Sequence, residues 1–276
     1  FLSPVGAGEG ESNHRPAGRG RYTGAMVSLG SEWLVLAVIA PFVGSFLGVL
    51  VERLPAGRPV FLARSACAAC HAPLGARDLV PIFSWLARRG RCRHCGAAIG
   101  LFAPAIEIAA VAVVAWAGTQ TSGWLLWESC ILGWALLVLA AIDWRHFVLP
   151  DIITWPLAAA GLLVTVAIDP ALLPDHAIGA VVGFAAFAAL AWGYLKIRGR
   201  EGLGMGDAKL LAGAGAWVSW TGLGSVVLIG AASGLAVALA RVPLGHPPAP
   251  GDRVAFGPYL CLGLWITWLH GPIMLG

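Results

Sequence analysis

Apolar runs long enough to cross a bilayer fill most of the chain, and they leave it few folds to adopt. They fall at about 33–51, 104–120, 123–142, 152–168, 177–195, 208–220, 221–240 and 254–275. A helical span takes roughly 20 residues, and inside lipid only helices and closed barrels satisfy their own backbone polar groups. Charged residues are 12% of the 276, hydrophobic residues 58%, and mean hydropathy is +0.80, whereas soluble domains are about a quarter charged. The expected fold class is all-α, a polytopic membrane bundle of about eight transmembrane helices. The seam between the sixth and seventh runs is its weakest point. Residues 208–220 are short for a span and suit a partly inserted or cavity-lining helix, and 206–240 alternatively form one tilted helix.

Lys and Arg placement sets the orientation, because positively charged loops stay cytoplasmic. The segment Glu52 to Ala103 carries Arg53, Arg58, Arg64, Arg77, Arg88, Arg89, Arg91 and Arg93. It reads as a cytoplasmic loop, 52–103, between a first transmembrane helix, 26–51, and the remaining bundle, 104–276. Counting onward puts Arg145, Lys196, Arg198, Arg200, Lys209, Arg241 and Arg253 on the same side. It leaves Asp169 to His176 free of Lys and Arg on the other, and turns both chain ends outward. The net charge of +4 is thus an orientation signal, and no nucleic-acid partner is inferred from it. Residues 1–25, Gly-, Ser-, Pro- and Arg-rich with no apolar run, read as a disordered extension or remnant ahead of a natural start at Met26.

Four cysteines in the arginine-rich loop, Cys67-Ala-Ala-Cys70 and Cys92-Arg-His-Cys95, form C-x2-C-x21-C-x2-C. That is close to the spacing by which two knuckles bring four thiolates to tetrahedral zinc. Gly96 and the small residues near the first pair permit the tight turns, and Arg64, Arg91 and Arg93 favour thiolate. A loop this small buries little core, so bound metal supplies folding free energy and the zinc is expected to be structural. A disulfide pair fits poorly with a cytoplasmic loop, and a redox dithiol does not call for two knuckles. His71 and His94 read as ordinary loop residues, and Cys130 and Cys261, inside apolar runs, as packing residues.

Asp143 ends the third run and Asp207 begins the sixth, both at the cytoplasmic edge of that topology. Ionisable residues at membrane depth are costly and mark function by default. Two on one face are a candidate aspartyl dyad, which needs one ionised and one protonated carboxyl and no cofactor. The glycines before Asp207 let backbone approach an extended substrate strand. The plainer readings are an N-cap for Asp207, a helix-end charge reaching water for Asp143, and an N-cap for Asp151.

Several segments together resemble the prepilin peptidase (type 4 prepilin leader peptidase) family, aspartyl proteases of the G-x-G-D kind. They are Gly44-Ser45-Phe46-Leu47 with Arg53-Leu54-Pro55, the four-cysteine loop with Ser84-Trp85-Leu86 and Arg89-Gly90-Arg91, Glu107, Asp143 with Pro150-Asp151, Gly204-Met205-Gly206-Asp207 with Lys209-Leu210-Leu211, and Phe256-Gly257-Pro258. Gly48 departs from the pattern, standing where Asn is usual. The resemblance spans about Gly44 to Gly263 and implies Asp143 and Asp207 as the catalytic pair, Asp143 matching the first aspartate of D-x6-P-D. It implies cleavage of the basic leader of prepilins and type II secretion pseudopilins after a glycine, at the cytoplasmic face of the bacterial inner membrane. Such substrates and membrane lipids are then the partners. It further implies N-methylation of the new terminus with S-adenosylmethionine as donor. No Gly-rich nucleotide fold marks a donor site; Glu107 and Arg91 lie near the loop's end, where each either faces that site or forms an ion pair, and the ion pair is the preferred reading because interfacial charges commonly pair. The substrate's apolar helix is expected to pack on small residues such as Ala177 to Ala191, which otherwise serve the bundle's own packing.

Three rival functions remain: a proton-coupled transporter using the same carboxylates, a non-catalytic scaffold docking through the zinc loop, and a presenilin-like protease. Both aspartates sharing one face, with no inverted repeat, disfavours the first. The D-x6-P-D segment and cysteine loop disfavour the last.

Overall fold

The computed structural model describes residues 31–61, 64–199, 204–243 and 254–273. The expectations for residues 1–25, Met26, Arg200 and Arg253 lie outside the described residues. Among those described, the regular elements are helices: α1 (Ser31–Arg53), α2 (Phe83–Ala87), α3 (Phe102–Gln120), α4 (Trp124–His146), α5 (Asp151–Ile168), α6 (Leu173–Arg198), α7 (Met205–Arg241) and α8 (Gly257–His270). The first five long apolar runs become α1 and α3 to α6; the cysteine loop separates α1 from α3, and shorter connections link α3 to α6. Gly123, at φ 61°, starts the return from α3 into α4. Phe147, in the left-handed region at φ 55°, ends α4, and Pro150 opens α5.

Six helices, α1 and α3 to α7, are long and apolar enough to cross a membrane. The difference from eight has two sources, the joining of runs 208–220 and 221–240 in α7 and the shortness of α8. α7 is continuous over 37 residues except at Ser219, whose φ 59° and ψ 179° break the helix. Trp217, before the break, stacks edge-on against Trp268, near the end of α8. After it, Ser225 accepts the N–H of Ile273, while Gly230 and Gly234 lie against Tyr259, near the start of α8. The two limbs of α7 therefore run in opposite senses along α8. With 14 residues, α8 is shorter than a full span.

α4 is the central helix, with 56% of its apolar window buried, and α6 is peripheral at 11%. The exposed apolar side chains of α6, among them Val181 and Trp192, face outward, as lipid contact requires. The small residues of 177–191 do a specific job. A Cβ on Gly183 would collide with the Leu211 carbonyl and one on Gly179 with the backbone of α7, so they bring α6 against α7. Gly44 does the same for α1 on α3, where a Cβ would lie 2.6 Å from the Cα of Glu107.

Candidate active site and metal centre

Asp143 lies in the last turn of α4 and is 6% exposed; Asp207 lies in the first turn of α7 and is 8% exposed. The N-terminus of α8 holds the first of them. The backbone N–H of Gly257, first residue of α8, donates to Asp143 Oδ2 at 2.9 Å. Asp207 is within electrostatic reach of Asp143, and Cys261, one turn along α8 from Gly257, is within reach of both. Asp143 thus does not reach for water. The N-cap of α7 is Gly204, so Asp207 does not cap that helix either. The turn Gly204-Met205-Gly206 is held against the α4–α5 connection, since a Cβ on Gly206 would meet Leu149 at 2.9 Å. A Cβ on Gly204 would stand 3.8 Å from Asp207 Oδ2, beside the carboxylate.

Asp151 is a third kind of residue. It is the first residue of α5, Pro150 holding the cap position, and its exposed carboxylate pairs with Lys209 Nζ at 2.6 Å. The pair ties α5 to the first turns of α7, beside the two buried aspartates. Cys261 packs, as expected, although against the site; Cys130 is fully buried in α4. Two elements of the site escaped the sequence: the Gly257 N–H, whose signal was the Phe256-Gly257-Pro258 turn, and the Lys209–Asp151 pair.

In the loop, two knuckles adopt one turn. The Cys67 N–H reaches the Ala72 carbonyl and the His71 N–H the Cys67 carbonyl; Cys92, Ala97 and Gly96 repeat the pattern. Equivalent positions take positive φ, 57° at His71 and 71° at Gly96, so His71 holds a conformation that suits glycine. The four Sγ atoms of Cys67, Cys70, Cys92 and Cys95 lie within 4.8 Å of one another, with Cys67–Cys95 at 3.9 Å and Cys70–Cys92 at 4.0 Å. A tetrahedral zinc–thiolate site with bonds of about 2.3 Å has sulfurs about 3.8 Å apart, whereas a disulfide is about 2.05 Å long. The cluster fits a metal ion, and all six cysteines are free thiols.

Backbone N–H groups lower two of the four thiols, Cys67 and Cys92, whereas Cys70, although the Ala72 backbone lowers it, is pushed up to about 11 by burial and the neighbouring thiols. The N–H groups of Cys70 and Ala69 hold the Cys67 thiol down to about 6, and those of Cys95 and His94 lower Cys92. Arg93 is taken up by Asp78 at 3.4 Å, together with Arg88 at 3.0 Å.

Glu107 and Arg91 form no ion pair among the described residues, contrary to expectation. Buried at 6% exposure, Glu107 accepts the Ile82 N–H at 2.7 Å and meets the Ser45 side chain. A backbone N–H at the start of the loop's short helix takes Glu107 as its acceptor, and a sequence carries no mark of such a pairing.

The sequence profile of the type IV leader peptidase family matches residues 130–239, and that of the bacterial peptidase A24 N-terminal domain matches 38–121. Relatives align over nearly their whole length. A prepilin leader peptidase/N-methyltransferase of Aeromonas salmonicida is 35% identical, covering 88% of this chain and 93% of its own. Those of Burkholderia pseudomallei and Dickeya chrysanthemi are 36% identical, covering 90% and 87% of this chain and 88% and 94% of theirs. The chain belongs to the type IV leader peptidase family. No solved structure gives a significant match. The first family segment holds most of α1, the cysteine cluster and Glu107, the second both aspartates, and nothing in either supports a transporter.

Proposed function

We propose that this family member is a membrane aspartyl endopeptidase that removes the basic leader of prepilins and pseudopilins, with Asp143 and Asp207 as its catalytic pair, and that it then methylates the new terminus. The observation that carries the reading is a pair of buried carboxylates, from α4 and α7, within electrostatic reach of each other, with Asp143 held by the first residue of α8. An isolated helix-end carboxylate has no reason to be drawn out of water; a pair that shares a proton does. One ionised carboxylate takes a proton from the attacking water while the other, protonated, donates to the scissile carbonyl oxygen. With Oδ2 of Asp143 held by Gly257, its Oδ1 is the oxygen left for water.

The site lies at the end of the bundle that bears the arginine-rich loop, which the positive-inside rule puts in the cytoplasm of a bacterial inner membrane. A basic leader followed by an apolar helix presents its junction at that edge. The four cysteines hold a structural zinc that folds the loop, and S-adenosylmethionine supplies the methyl group. In the test, the full chain in bilayers is mixed with a prepilin and the product termini are sequenced. Cleavage after the leader glycine, abolished by Asp207→Asn in folded protein, supports the reading; cleavage that persists in that variant refutes it.

A further inference from the structure

A cavity of about 240 Å³ opens between α1, the start of α3 and the cysteine loop, and Ser45, Glu52, Trp85, Arg91, Phe102 and Glu107 are among its walls. We propose that this cavity binds the methyl donor, S-adenosylmethionine, with its sulfonium facing Glu107. The inference rests on the methylation reading above and gives it a place.

Three of the donor's groups find complements here. A sulfonium cation needs a negative group sheltered from water. Glu107 is more than nine-tenths buried, its Oε2 is fixed by the Ile82 N–H, and no cation pairs with it among the described residues. A buried carboxylate without a cation is costly, and a cationic ligand relieves that cost. The carboxylate of a methionyl group needs a cation, and Arg91 stands in the wall outside every ion pair among the described residues, while Arg88 is committed to Asp78. An adenine needs a flat apolar plate. Trp85 is fixed as one by its Nε1 bond to the Ile99 carbonyl at 3.3 Å and by close packing on Gly90. The enclosed volume is below the roughly 300 Å³ at which small-molecule pockets begin, so the nucleoside extends into the open mouth.

Arg145 links the cavity to the segment that carries Asp143. Arg145, two residues beyond Asp143, pairs with Glu52 at 3.8 Å and covers the ring of Phe102 at 4.0 Å, and both partners are cavity walls. A terminus freed at the aspartates therefore needs only to pass Arg145. There its ammonium gives up a proton to water beside Glu52. The amine lone pair then forms the N–C bond as the methyl–sulfur bond breaks, its electron pair returning to sulfur. A neutral thioether and a secondary ammonium leave.

The test is equilibrium binding by calorimetry to the full, zinc-loaded chain, using S-adenosylmethionine and S-adenosylhomocysteine, which lacks the sulfonium charge. The parent is expected to bind both. Glu107→Gln weakens S-adenosylmethionine tenfold or more and S-adenosylhomocysteine less than threefold, and Trp85→Ala weakens both. Unchanged zinc content shows that each variant is folded. If the parent binds while both variants bind as tightly as it does, the cavity is not the donor site, and methylation stands without it. If the parent binds neither compound, the inference falls together with the methylation reading.

Discussion

Gly257 is the residue on which Asp143 depends most closely. Its N–H holds Asp143, and an added Cβ would lie 2.7 Å from the same Oδ2. Gly257→Ala is therefore expected to displace the carboxylate and cut leader cleavage at least tenfold, since small misplacements of reacting groups are costly; kcat measured on folded protein checks it. Asp151 gives the contrast. It is exposed and paired to Lys209, and such pairs contribute about 0–1 kcal/mol. Asp151→Asn should keep cleavage within a few-fold of the parent in the same assay. The aspartates were legible in the sequence because a charge among apolar residues stands out. The N–H of Gly257 was not, because every residue but proline carries one and only folding decides which is used.

At the scale of elements, the cysteine loop and the break in α7 each make a claim. The loop is expected to bind one zinc per chain, and a chelator should melt its structure, as for small domains with little core. Its metal-free form should also respond to pH. The Cys67 thiol, ordinarily near 9 and held at about 6 in the fold, contributes stability that is full above about pH 9 and lost as pH falls through 6. Protons compete with metal in the same sense, so zinc release followed by a chromogenic chelator should rise on acidification. Release that instead increased toward alkaline pH up to 9 would contradict the assignment. The break at Ser219 lies where essentially only glycine is at ease. It is held by Ser219 Oγ, which meets Thr221 Oγ1 at 2.8 Å and accepts the Thr221 N–H at 3.3 Å. Ser219→Ala keeps the strain and loses the bonds, so it should lower stability by about 1 kcal/mol. Ser219→Gly sheds both and should be milder, as thermal unfolding in detergent can decide. Run length alone placed the seam here but left one tilted helix as an alternative. What separates a reversal from a tilt is the partner, α8, whose two ends meet the two limbs.

For the whole molecule, the fold puts its charged chemistry at one end of an apolar bundle. The two buried aspartates, Glu107 and the four cysteines come from distant segments, and helix alternation brings them to that end. Alternation could be read from the runs of apolar residues and the arginines between them, which is why the all-helical bundle and its grouping of acids were legible. The cavity at Glu107 was not. Its walls come from α1, α3 and the loop, and the expectation of an ion pair there assumed that neighbouring charges meet. The structure instead gives Glu107 a backbone donor and leaves Arg91 apart. The central claim is that Asp143 and Asp207 act as one unit, and the direct test is leader cleavage by Asp143→Asn, Asp207→Asn and the double variant, normalised to folded protein in membranes. Residues that work together are strongly non-additive. Each single variant should fall by roughly a thousandfold or more, with the double variant no lower than either. A single variant that keeps cleavage within tenfold of the parent, or a double variant whose loss is the product of two modest ones, would contradict it.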